Sequence, residues 1–229
     1  LALASIVPAS AALWTSGHGD IEMIYDGTEW EAAFLLTEDG EPPAIVDGMP
    51  IAPGTEFEVD EIDIQVLGPL QPSAGIPDSG ADMVYLLSQD EALASALGNP
   101  YVGFAVDEIV PGILAGDRVT MSLLTVTGPG VFSLWETDGF GMDTILMSSA
   151  AGSGAPDQVD LFVDPGHYHF NVGFSEPGTY DVLFRSEGQL AGGGQTGNDF
   201  TVRYRVIPEP SSALLLSLGA LLIIRRNRG

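Results

Sequence analysis

Two imidazoles lie two residues apart in His167-Tyr168-His169, and the remaining histidine of the chain, His18, stands two residues before Asp20. Side chains alternate faces along a β-strand, so on strands each of these pairs points to one side. Imidazole nitrogens and a carboxylate oxygen are ligands of Zn²⁺, and copper and nickel also suit imidazole. The spacing therefore predicts a transition-metal site: three nitrogens from His18, His167 and His169, with Asp20 as a fourth ligand or as a hydrogen-bond acceptor that fixes a tautomer.

The same alternation assigns the faces of these strands. We expect residues 167–174 to form one strand with an apolar face in the core and a polar face opposite. The core set is Tyr168, Phe170, Val172 and Phe174, and the polar set is His167, His169 and Asn171. In the first strand we expect Ile21, Met23 and Tyr25 inside, and His18, Asp20 and Glu22 facing outward. Without a metal, the three histidines would be solvated side chains on a polar face.

Short strand-like runs separated by turn residues about every ten positions are typical of an all-β fold. We predict an Ig-like antiparallel β-sandwich with one short helix, because a parallel α/β fold would need several crossover helices. Tyr180 directly follows the turn that contains Pro177 and Gly178. A tyrosine there can hydrogen-bond back across the turn, as in the tyrosine corner of Ig-like domains, so we expect these three residues to be structural.

Local signals place three further features. A helix is predicted over residues 89–97, with Ser88 as its N-cap and Gly98 as its stop. The Asp26-Gly27 pair, between two strand-like runs, predicts a hairpin. A bulge at Asp60-Glu61 would keep the apolar side chains before and after it on one face of a single strand.

Charge excludes one class of function. The chain has 32 acidic residues against 7 basic ones, and all seven basic residues are arginine. Such a surface repels nucleic acid and attracts cations or basic partners, so nucleic-acid binding is excluded. The chain has no cysteine, which excludes disulfides and thiolate metal sites.

The chain divides into three parts. Residues 1–12 are apolar and close on Ala9-Ser10-Ala11, which fits the small-residue rule for signal peptidase, so we interpret them as a residual signal peptide. Residues 13–207 are the predicted β-sandwich domain. Residues 208–229 form a separate tail.

The tail contains Pro208, Glu209 and Pro210, then an apolar run over 213–224, then an arginine cluster that includes Arg225 and Arg226. The apolar run predicts a short hydrophobic helix, too short for a comfortable permanent span. By the positive-inside tendency, the arginine cluster at the end of the tail would stay on the cytoplasmic side of a membrane, and the domain would lie outside.

This three-part tail resembles the PEP-CTERM sorting signal of Gram-negative bacteria. The resemblance implies processing by exosortase, a membrane enzyme that removes the helix and releases or re-anchors the domain. It also implies that the hydrophobic helix lies in the inner membrane before processing, and that the domain is exported to the cell envelope, the cell surface or the extracellular space.

The domain resembles a second family, the choice-of-anchor M surface domain. The residues that carry this resemblance are the Gly17–Ile21 segment, the Asp26-Gly27 turn and the run from His167 to Tyr180. The family is attached to different cell-surface anchors in different bacteria, and actinobacterial members are associated with transport systems similar to metal-uptake ABC transporters.

Together these signals predict a non-enzymatic, exported surface or matrix protein that binds a transition metal. One alternative is a structural or adhesive acidic module without metal, with surface polysaccharide or matrix partners. Another is a metal-dependent hydrolase, which would need an open zinc position and a nearby general base.

Overall fold

Strands make up most of the computed structural model, which describes residues 11–37, 40–68 and 84–208. From the N-terminus they are β1 (Ala12–Ser16), β2 (His18–Tyr25), β3 (Trp30–Leu36), β4 (Ile45–Val46), β5 (Met49–Pro50), β6 (Thr55–Glu58), β7 (Ile62–Gly68), β8 (Tyr85–Leu87), β9 (Tyr101–Ala105), β10 (Arg118–Thr127), β11 (Phe132–Thr137), β12 (Asp143–Ser148), β13 (Gln158–Phe162), β14 (His167–His169), β15 (Asn171–Phe174), β16 (Gly178–Gln189) and β17 (Gln195–Pro208). One α-helix, α1 (Glu91–Ala96), lies between β8 and β9. The all-β prediction is confirmed.

The end segments fall largely outside the described residues. These include residues 1–10 of the predicted signal peptide, and Glu209, Pro210, Arg225 and Arg226 of the predicted sorting signal with its hydrophobic helix. Pro208 is the last residue of β17, where it pairs with Gly68. In the described part of the chain, no helix has the length and apolar character needed to cross a membrane.

The strands form three sheets that share one core. An eight-stranded sheet has the order β13-β10-β16-β17-β7-β1-β4-β5, a four-stranded sheet β12-β11-β15-β8, and a five-stranded sheet β14-β9-β2-β3-β6. Phe184 of the largest sheet contacts Phe132 of the four-stranded sheet and Phe104 of the five-stranded sheet, at centroid distances of 6.0 and 6.4 Å. The two smaller sheets therefore both pack on the large one, as in a β-sandwich.

Three strand pairs are parallel, which differs from the purely antiparallel sandwich that we expected. They are β1 with β7, β7 with β17, and β2 with β9. Parallel neighbours need a long connection, and more than 70 residues separate β2 from β9. The turn signals in the sequence connect strands that follow one another, so they do not predict pairs between strands that are far apart in the chain.

The prediction of one strand over residues 167–174 is wrong. The segment is divided at Phe170: β14 pairs with β9 in the five-stranded sheet, and β15 pairs with β11 and β8 in the four-stranded sheet. Phe170 is buried in the core at this crossing point, as are Val172 and Phe174, but Tyr168 is only partly buried. Asn171 is buried too, and its side chain hydrogen-bonds Gln89 and Thr137.

A similar crossing replaces the predicted bulge at Asp60-Glu61. These residues separate β6 from β7, which belong to different sheets. A change of sheet lets both apolar runs enter the core, which is the requirement that the bulge was expected to meet. The Asp26-Gly27 hairpin is confirmed, since β2 and β3 pair antiparallel on either side of it.

The predicted helix is present, but it is shorter and its cap differs. Asp90 is the N-cap, and its side chain accepts a hydrogen bond from the backbone of Leu93 at 2.8 Å. Ser88 instead accepts from the backbone N–H of Asp90. Gly98, at φ 67°, follows the C-cap residue Leu97, as expected for a helix stop.

The corner at Pro177, Gly178 and Tyr180 is built as expected. Tyr180 is fully buried, and its hydroxyl donates a 2.9 Å hydrogen bond to the backbone oxygen of Glu176. Gly178 has φ 143°, and a Cβ there would meet the ring of Pro129. The corner thus fixes the start of β16, the strand that pairs with β17 along its whole length.

Tyr180→Phe should lower the free energy of unfolding by about 1–2 kcal/mol, because it leaves the Glu176 carbonyl without its buried donor. Tyr204→Phe is a matched control: Tyr204 also packs against Phe174, and its buried hydroxyl has no hydrogen-bond partner among the described residues. The control should be neutral or slightly stabilising. Urea unfolding of both variants measures the difference, and equal losses would refute the structural role of the corner.

Candidate metal centre

Three neighbouring strands of the five-stranded sheet position the predicted ligands. β9 lies in the middle, with β2 on one side and β14 on the other. In register, Gly103 of β9 stands between Asp20 of β2 and His169 of β14. His18 and His167 lie two residues from these on the same strands, so the alternation of side chains places all four ligands on one face.

The structure brings the four predicted side chains together. One ligand atom from each of His18, Asp20, His167 and His169 lies within 4.8 Å of the others. Oδ1 of Asp20 is 2.9 Å from Nε2 of His167 and 3.6 Å from Nε2 of His18. Ligand atoms around a tetrahedral zinc ion are about 3.3 Å apart, given bonds of about 2.0–2.1 Å. Small side-chain movements would therefore bring all four atoms to one ion.

The prediction of an outward, solvated face is wrong for β2. His18 is 5% exposed, Asp20 2% and Glu22 3%. The loop after β3 covers this end of the sheet, with Glu41 in contact with the His18 ring. The side chain of His167 is 29% exposed and lies at the open side of the cluster. Solvated histidines on a polar face therefore do not describe this site.

Two hydrogen bonds orient the imidazoles. Nδ1 of His18 donates to Oε2 of Glu41 at 2.6 Å, and Nδ1 of His169 donates to the backbone oxygen of Val102 at 3.0 Å. A carbonyl oxygen only accepts, so Nδ1 of His169 must carry the proton and Nε2 its lone pair. Metal-bound histidines in proteins usually donate their other ring N–H to such a carboxylate or carbonyl. The arrangement thus prepares both rings to bind through Nε2.

Ring stacking further restricts the cluster. The Tyr101 ring lies on that of His169, with centroids 3.8 Å apart and planes 7° apart. The rings of His18 and His167 are also stacked, with centroids 5.4 Å apart and planes 8° apart. Rings held by packing on one side and hydrogen bonds on the other lose little further freedom on binding an ion.

Gly103 leaves the space in which the four ligands meet. A Cβ atom at this position would overlap Oδ1 of Asp20 and lie 2.6 Å from Nε2 of His167. Because Gly103 is the register partner of both Asp20 and His169, no other residue of the sheet lies between them. The sequence gives no sign of this role, since it depends on a pairing between distant strands.

The charges of the site are mutually stabilised. Burial alone would raise the pKa of Asp20, but hydrogen bonds and charges from His167 and His18 lower it to about 2. Burial would also lower the pKa of His18, yet Asp20 and Glu41 together raise it to about 9. Burial and the nearby charge of His167 lower the pKa of His169 to about 4. At neutral pH the metal-free site therefore holds a protonated His18, an ionised Asp20 and a neutral His169.

Two acidic residues near the site were not singled out as functional from the sequence. Glu41 holds His18, but it lies in an irregular loop, and no local pattern indicates its contact. Glu22 is two residues beyond Asp20 on β2. The alternation of side chains along a strand places it on the same face as Asp20, and this was the signal that could have identified it. Burial, then Asp107 and Asp20, raise the pKa of Glu22 to about 8, so this carboxyl keeps its proton at neutral pH.

Comparisons with known proteins add no relatives: no family model, no curated protein and no solved structure matches this chain.

Gly103→Ala should weaken zinc binding by about 100-fold or more, because its methyl group would occupy the space between the ligands. Gly139→Ala is the control, since a Cβ there meets nothing within 4 Å. Isothermal titration of both variants with Zn²⁺ measures the effect, and circular dichroism checks that each retains the fold. Wild-type affinity in folded Gly103→Ala would contradict the proposed geometry.

Proposed function

We propose that this chain is an exported, non-enzymatic surface or matrix protein whose β-sandwich binds one transition-metal ion through His18, Asp20, His167 and His169. The observation that carries the metal site is the meeting of one ligand atom from each of these four side chains within 4.8 Å. They come from two strands almost 150 residues apart in sequence. All three histidines of the chain take part.

Zinc is the proposed ion, with copper and nickel as the related candidates. Three imidazoles and one carboxylate supply a nitrogen-rich set of four, which suits a tetrahedral ion of this type. Calcium and magnesium prefer oxygen ligands, six or more for calcium and six for magnesium. The exposed carboxylates elsewhere on the chain offer weak oxygen contacts of that kind but no imidazole.

A binding role fits the site better than hydrolysis. A catalytic zinc keeps one position open for water, usually with three protein ligands. Here Asp20 lies between two histidines and completes a set of four. The site is therefore closed by protein side chains, as in zinc sites that store, sense or stabilise rather than react.

Export and sorting rest on the sequence. The small-residue pattern at Ala9-Ser10-Ala11 supports cleavage by signal peptidase, and the tail from Pro208 to Arg228 supports recognition by exosortase. The Tyr180 corner supports an Ig-like description of the sandwich, and the residues shared with the choice-of-anchor M domain agree with a surface location. Matrix or polysaccharide partners are proposed on the same basis.

The metal proposal is tested by titrating the full chain with Zn²⁺. We expect one ion per chain, with a Kd of about 1 µM or tighter, and a loss of about 100-fold or more in His167→Ala/His169→Ala. The control is Glu56→Ala/Glu58→Ala, which removes two exposed side chains with the same spacing from the far edge of the same sheet. Equal heats from wild type and the histidine variant would reject the site.

The same titration has a predicted pH dependence. Zinc must displace a proton from His18, because Asp20 and Glu41 raise the pKa of this imidazole to about 9. Zinc affinity should therefore rise between pH 6 and pH 8, by about tenfold per unit for one displaced proton. The number of protons released per zinc ion bound, measured in buffers of different ionisation enthalpy, should be at least about one. An affinity independent of pH would show that His18 is not a ligand.

Sorting is tested in a Gram-negative host that makes an exosortase. The wild-type chain should lose its C-terminal segment, whereas Pro208→Ala/Glu209→Ala/Pro210→Ala should remain uncleaved in the inner-membrane fraction. Intact-mass analysis and immunoblotting of cell fractions distinguish the two products. Identical processing of both chains would refute recognition of the tail by exosortase, and it would leave the metal proposal untouched.

A further inference from the structure

A cavity of about 250 Å³ lies against the outer side of the metal centre. It is bounded by the turn at Gly17, the loop at 41–43, helix α1 and the start of β9. Pro42, Pro43 and the Tyr101 ring give it apolar walls. The volume is near the lower end of the range for ligand pockets, so it suits a small molecule or a single side chain.

The charged lining of this cavity is acidic, apart from the His18 ring that the metal centre already engages. Glu41 and Glu91 supply carboxylates, and none of the described residues that line the cavity is an arginine. Ser95 adds a hydroxyl group. Burial, then the charges of Glu91 and Asp90, raise the pKa of the Tyr101 phenol to about 12, so it stays protonated and can hydrogen-bond. The cavity therefore combines hydrogen-bonding groups and negative charge with an apolar wall.

The deepest polar residue of the wall is structural. Asn99 is buried, and its amide accepts from the backbone N–H of Leu67 and donates to the carbonyls of Leu67 and Leu86. These bonds tie β7 and β8 together and hold the floor of the cavity in place. The cavity is thus pre-formed by the fold, which lowers the ordering cost of binding.

We propose that this cavity binds a protonated primary amine, with its ammonium group between Glu41 and Glu91 and its alkyl part against Pro42, Pro43 and Tyr101. An ammonium donates three hydrogen bonds and pairs well with carboxylates, whereas an anion would be repelled by both glutamates, and Glu41 already compensates the charge of His18. A second metal ion is disfavoured, because the group of ligating side chains found close enough to hold one, within the described residues, is the histidine centre.

Glu41 belongs to both sites, since it also accepts the hydrogen bond from His18. Glu91→Gln is therefore the informative variant: it removes a cavity carboxylate and leaves the metal ligands and their hydrogen bonds intact. Glu56→Gln is its matched control, with the same change of charge at an exposed position on β6.

The probe is n-butylamine, with 1-butanol as an uncharged molecule of the same shape, added to the zinc-free full chain because amines coordinate zinc themselves. NMR titration should show saturable shifts at Tyr101 and Ser95 with butylamine and none with butanol. Glu91→Gln should weaken butylamine binding by about tenfold, while Glu56→Gln should bind as wild type. Zinc affinity should be unchanged in both variants, so failure of this proposal is distinct from failure of the metal site.

A second arm identifies the source of the amine. The peptide acetyl-Gly-Lys-Gly-amide presents the same ammonium group on a chain that continues outside the cavity. Tighter binding of the peptide than of butylamine assigns the cavity to a lysine side chain of a partner protein, and tighter binding of butylamine assigns it to a free small amine. Equal shifts with butylamine and butanol, or wild-type affinity in Glu91→Gln, would overturn the proposal.

Discussion

The candidate metal centre depends on the insertion of β9 between β2 and β14, which pairs β9 with both strands. This pairing sets Gly103 opposite both Asp20 and His169, and it joins segments from opposite ends of the chain. A shift of one residue in either register would turn the ligands of that strand to the other face of the sheet. The core formed by all three sheets supports this register, because it buries apolar side chains of β2 and β9 on the face opposite the ligands.

Among the described residues three carboxylates are buried, and each is compensated in a different way. Asp63, on β7, forms an ion pair with Arg205 of the neighbouring strand. Asp20 lies among imidazoles, whose positive charge keeps it ionised. Glu22, the third, has a carboxyl oxygen without a hydrogen-bond partner among the described residues, and its raised pKa leaves it neutral. An unpaired buried carboxylate would cost several kcal/mol, so each solution removes that cost. A metal ion bound at the proposed site would take the place of histidine protons and would preserve the compensation of Asp20.

Much of the site followed from local sequence patterns, whereas the connections between strands did not. The spacing of His167 and His169, and of His18 and Asp20, was sufficient to group the ligands, because side-chain alternation is a property of any strand. The same rule failed at Phe170, where the chain passes from one sheet to another: an apolar residue serves equally well inside a strand and at a crossing between sheets. The parallel pairs and the contact of Glu41 with His18 join residues far apart in sequence, which no local pattern specifies.

The acidity of the chain and the metal selectivity proposed for its histidine cluster are separate properties. A net charge of −25 attracts every cation, and on an open surface that attraction is strongly screened by salt. Exposed carboxylates alone therefore cannot distinguish zinc from calcium or magnesium. The three imidazoles can, because nitrogen ligands favour transition metals and the buried centre is screened much less. With every histidine of the chain in one cluster, the proposed selective binding is confined to that cluster, and the acidic surface would raise the local concentration of cations around it.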